Sequence, residues 1–150
     1  MPVEFMVFPA QSRVLPYVVV LGVTFALTLG GILARPIESL SLFWPVNAVL
    51  VGVLLRYPRQ ANALGFTLVW LAMVAADLLC GSDWMPALWF NLCNLGVVVT
   101  LWLLMSRLPR MHRRMRSPHG VLSVFAACAA AAMVAASMAA VMAAPWFEQS

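Results

Sequence analysis

Four polar side chains interrupt long apolar stretches of this sequence: Asn47, Asp77, Asn91 and Asn94. An amide Nδ2 donates a hydrogen bond to a carboxylate or to another amide oxygen, and every Oδ1 accepts. In an apolar medium such a set has two uses. It can hydrogen-bond helices to one another, or it can line a small polar pocket that holds a ligand or registers a signal. Asn91 and Asn94 are three residues apart and share one face of a helix. Replacing Asp77 by Leu separates the two uses, because a protein that folds and signals unchanged after that change has no such pocket.

Other chemistry is sparse. His112 and His119 belong to an Arg-rich loop or its edge, so no buried His pair is available to ligate haem. No HExxH, P-loop, nucleophile elbow or GxGxxG occurs. We therefore expect no catalytic residue, cofactor or metal site. Cys80, Cys93 and Cys128 form no CxxC. They read as small core residues, with a Cys80–Cys93 disulfide as the alternative.

The elements that must position the four polar groups are membrane helices. Of 150 residues, 64% are hydrophobic and 9% charged, where a soluble domain has about a quarter charged. Apolar runs approach the ~20 residues that cross a bilayer, and they are continuous rather than alternating, which excludes a barrel. The fold class is all-α: a polytopic transmembrane bundle of about five spans. The expected helices are 14–33, 40–55, 61–80, 86–106 and 121–144, after a cytoplasmic segment 1–13. Residues 14–150 then form one transmembrane, sensor-like domain. The second helix is short enough to dip back, and we favour a full crossing with local bilayer thinning. The first run is too long for a signal peptide and no A-x-A site follows it.

All nine basic residues are Arg. Their position between spans points to topology and anionic lipid rather than to nucleic acid. Arg107, Arg110, Arg113, Arg114 and Arg116 crowd one loop, which places it in the cytoplasm; Arg56 and Arg59 join them. The N-terminus is then cytoplasmic and the C-terminus periplasmic, in a bacterial inner membrane. Trp44, Trp84, Trp89 and Trp146 fall near the outer boundary, and Tyr17 and Tyr57 near the inner one, as interfacial anchors. All four members of the polar set come out in the outer third of the membrane, with Asn47 roughly 8 Å deep by helical rise.

Local signals refine this picture. Asn62 reads as the cap of the third helix. Pro109 and Pro118 bracket a non-helical loop, and Pro86 suits a first helical turn. Ala48 and Gly52 offer a small-residue contact strip on the second helix. The fifth helix is mostly Ala and is expected inside the bundle or at a dimer seam. Trp44, Pro45 and Asn47 open the second helix with a breaker and an amide, and Pro45 is expected to free a backbone carbonyl there.

The stretch LFWPVNAVLVGVLLR (42–56) resembles the signature of the bacterial membrane-associated sensor domain, MASE type, class one. Trp44, Pro45 and Asn47 match its first motif, and NLCNLGVVVTLWLLMSRL (91–108) is similar to its fourth-helix pattern through Asn91. The resemblance implies a multi-helix input module joined to a cytoplasmic output: a diguanylate cyclase with a GGDEF motif, an EAL phosphodiesterase or a histidine kinase. The family's domain is longer and has more spans, and no GGDEF, EAL or kinase motif is present here. The chain therefore reads as the N-terminal part of a sensor or a truncated product. Its expected partners are lipids, further receptor helices or a second copy. A transporter subunit is the rival reading, since Pro45 and an intramembrane Asp77 are features transporters use. A structural membrane protein without a ligand is the third.

Overall fold

A computed structural model of the chain describes residues 14–34, 45–113 and 115–147. The helices are α1 (Leu15–Leu33), α2 (Val46–Arg56), α3 (Ala63–Leu79), α4 (Trp84–Arg107), α5 (Arg110–Arg113) and α6 (Pro118–Phe147), with a 3-10 turn at Pro58–Gln60. The described residues include no strand. Three helices are long and apolar enough to cross a membrane: α1, α4 and the Pro118–Val141 part of α6. The chain is thus an all-helical membrane protein. At 1.5 Å per residue α2 spans about 16 Å and α3 about 26 Å, against roughly 30 Å of hydrocarbon. Of the second helix expected over 40–55, Val46–Arg56 is described, with Pro45 at its cap; residues 35–44 lie outside the described residues.

Neighbouring helices alternate in direction. Phe66 near the start of α3 meets Trp102 near the end of α4, edge to face at 5.8 Å. At the other end Asn91 of α4 reaches Asp77 of α3. Trp89 near the start of α4 donates to the Met138 carbonyl late in α6 at 3.2 Å. α1 and α3 run parallel: Asn62 Nδ2, at the start of α3, donates to Tyr17 Oη at 2.7 Å. One end of the bundle thus gathers the start of α1, the end of α2, the start of α3, the end of α4 and the start of α6.

The core lies among the first four helices: Val20, Val46, Leu50, Val51, Leu54, Val69, Met73 and Val98. α4 is the hub, touching α2, α3 and α6. α6 does not enter the bundle. It lies along α4 through Ala127 and Ala131, while Leu122, Phe125, Met133 and Val141 face outward. Its Ala-rich stretch lets the backbones approach: a Cβ on Gly96 would lie 2.9 Å from Met138 Sδ.

Several expectations change. The Pro109–Pro118 segment is not wholly non-helical, since Arg110–Arg113 forms one turn after Pro109. α6 starts at Pro118, where a missing N–H costs nothing, and α4 at Trp84. Ala48 and Gly52 are exposed, so their strip meets nothing in this chain. Cys80 and Cys128 are exposed rather than core, and Cys80, Cys93 and Cys128 are all free thiols. Pro45 caps α2 from outside the helix, and its carbonyl accepts from Val49 N at 3.0 Å. The carbonyl that the missing Pro45 N–H would leave free is that of residue 41, which lies outside the described residues. Asn62 caps α3 as expected, its Oδ1 accepting from Gly65 N at 3.0 Å.

Candidate functional site

Asp77 is placed by the way α3 ends. Gly81 adopts φ +85°, a left-handed conformation that favours glycine. That turn lets Gly81 N donate to the Leu78 carbonyl and Ser82 N to the Asp77 carbonyl, both at 3.1 Å. This is a Schellman termination, with Asp77 in the last turn. The same turn brings Ser82 Oγ to Asp77 Oδ1 at 3.3 Å. Gly81→Ala is expected to cost about 1 kcal/mol through this φ, seen as a lower unfolding temperature in detergent.

From α4, Asn91 Nδ2 donates to Asp77 Oδ2 at 2.5 Å and to the Ala87 carbonyl at 2.8 Å. Asn91 is fully buried and Asp77 is 7% exposed. One turn further along α4, Asn94 Oδ1 accepts from Asn47 Nδ2 of α2 at 3.2 Å. The four residues singled out in the sequence are therefore brought together as two pairs, joined through neighbouring positions on α4. In lipid such interhelical bonds contribute about 0.6 kcal/mol and at most ~1.7 kcal/mol. A double-mutant cycle of Asn47→Ala with Asn94→Ala is expected to return a coupling in that range.

The network is not closed. Asn47 Oδ1 and Asn91 Oδ1 are buried and have no hydrogen-bond partner among the described residues. Both amides use their donor side only. Leaving a buried polar atom unpaired costs about 1–3 kcal/mol, so an unmet acceptor on the amide that meets the carboxylate, and a second on Asn47, are more than helix glue requires.

Sequence reading missed Thr24, Thr28 and Ser82. Val20, Thr24, Thr28 and Gly31 form the buried stripe of α1. Their i, i+4 spacing in an otherwise apolar helix was the available signal. Thr24 Oγ1 donates to the Val20 carbonyl at 2.7 Å, while Thr28 Oγ1 has no partner among the described residues. Trp89 is more than an interfacial anchor because it ties α4 to α6. Trp44 lies outside the described residues.

The opposite end is cationic. Arg56, Arg59, Arg107, Arg110 and Arg116 are exposed there and Arg113 half-buried; Arg114 lies outside the described residues. No carboxylate pairs with them among the described residues, and both described acids, Asp77 and Asp83, sit at the far end. Arg56 lies 5.9 Å over the Tyr57 ring. No group of three or more His, Cys, Asp or Glu able to hold a metal occurs among the described residues.

Comparison with known proteins adds one relationship. Over 107 residues the chain is 31% identical to the probable diguanylate cyclase DgcF of Escherichia coli O157:H7. The match covers 71% of this chain and 23% of that protein, so the chain spans about a quarter of the relative it matches. This chain is similar to part of a cyclase. It carries no catalytic domain of its own among the described residues. No family model matches it, and no solved structure matches it significantly.

Proposed function

We propose that the chain is a sensory input module of an inner-membrane signalling protein, of the membrane-associated sensor type, class one. Its output acts on cyclic di-GMP. The observation that carries this reading is the similarity to about a quarter of a probable diguanylate cyclase, in a chain that is itself an apolar helical bundle. Such a portion supplies input rather than catalysis. The Trp44-Pro45-x-Asn47 sequence and the Asn91 start of the second motif support the assignment. The polar cluster on α4 is the signal site, because there α2, α3 and α4 meet around a buried carboxylate through polar atoms that are not all satisfied. Signalling is a shift between two packings of α2 and α3 on α4, biased by whatever meets those atoms.

The cationic end faces the cytoplasm and contacts anionic headgroups, and the Asp77–Asp83 end faces the periplasm. Cys80 reports this directly. It is exposed beside Asp77, Cys93 is buried, and Cys128 lies mid-helix on the outward face of α6. A membrane-impermeant maleimide added to spheroplasts is expected to label Cys80 alone. Labelling only after the membrane is opened reverses the orientation. The function itself is tested by cyclic di-GMP in host cells with and without the native protein, where equal levels remove the reading.

A further inference from the structure

We propose that the periplasmic end of the bundle binds a small cation, Na+ or hydronium, on the Asp77 carboxylate and Asn91 Oδ1, with Asn47 Oδ1 as the next unmet acceptor. The proposal rests on the signal-site reading above and names what that site takes.

Three observations converge. First, Asp77 sits in the last turn of α3, where the carbonyl ends of the helix already make the potential negative. A carboxylate is on the wrong pole there and a cation on the right one. Second, its partners are neutral: Ser82 Oγ and Asn91 Nδ2. Among the described residues, the elements packed on α3 bring no cation near it. α1 carries Tyr17 and the 3-10 turn carries Arg59, both at the opposite end. α4 carries Asp83 at its start, a second anion, then the thiol of Cys93, and Arg107 only at its far end. Third, Asn91 is fully buried, and its Oδ1 has no partner although its Nδ2 has two. Amide oxygens accept and never donate. The unmet atom on the carboxylate's own partner is therefore an oxygen acceptor, and its complement is a cation or a group made of donors. An all-oxygen set with a single carboxylate suits a hard monovalent ion rather than a transition metal. An intramembrane carboxyl facing other helices is the usual location for such chemistry.

The test uses the full chain purified in detergent, with unfolding temperature read in NaCl and in choline chloride at equal ionic strength, across pH. For Na+, the temperature is expected to rise by about 8 °C at a hundredfold excess over Kd. For hydronium, it rises on acidification whichever salt is present. In both cases Asp77→Asn, which keeps an acceptor for Asn91 Nδ2, removes the dependence while the protein stays folded. Wild-type protein insensitive to both ions overturns the proposal, as does a dependence that survives Asp77→Asn. A bound cation without any effect on cyclic di-GMP in cells leaves the proposal standing and removes the sensory reading instead.

Discussion

Asp77→Leu is expected to abolish the signal response of the native protein while leaving its amount in the membrane close to wild type. Two terms oppose each other in stability. Leu deprives Asn91 Nδ2 and Ser82 Oγ of their acceptor, a loss of about 1–3 kcal/mol. Asn91 keeps the Ala87 carbonyl, which holds the loss toward the lower figure. Against it, removing a carboxyl from a membrane segment gains up to ~2.5–3.5 kcal/mol at mid-bilayer and less near an end. The sum is about 1 kcal/mol or less in either direction. The proposed signal site has no such compensation, since no other carboxylate is described in any span. Cyclic di-GMP in the host, at matched membrane abundance, is therefore expected to stop responding in Asp77→Leu. An unchanged response assigns the cluster to helix packing alone.

Gly65→Ala carries the largest expected loss of stability. A Cβ at Gly65 would lie 1.8 Å from the Gln60 carbonyl oxygen and 3.0 Å from its carbon. Both are backbone atoms, so no side-chain rotation relieves the clash. The 3-10 turn must move, and with it the Asn62 cap and the Tyr17 contact that fix the register of α1 against α3. The loss is about 3 kcal/mol, or roughly 9 °C in unfolding temperature for a chain of this size. Gly52→Ala is the control. A Cβ there meets nothing within 4 Å, and the helix gains up to ~1 kcal/mol in propensity. Measured side by side in detergent, the two substitutions are expected to move the midpoint in opposite directions.

How much of this was visible in the sequence differs by element. The spans and the polar set were legible because hydropathy and the cost of burying amides in lipid act locally. Asp77, Asn91, Asn47 and Asn94 stand out from their neighbours without any knowledge of packing. Their pairing was not legible: which amide meets the carboxylate depends on how α2 and α3 dock on α4. The partner Ser82 was hidden for a similar reason, since only the left-handed Gly81 turns its hydroxyl back on Asp77. For α6, small residues permit close packing on one face without saying how many faces are covered. In this chain one face meets α4 and the others point outward.

The central claim, an input module within a larger membrane signalling protein, is tested most directly by the intact mass of the native protein. An antibody to the 107–118 loop, applied to membranes of the host, reads it. The account predicts a single membrane species several times heavier than a 150-residue chain. A species of 150 residues, with none heavier, contradicts it.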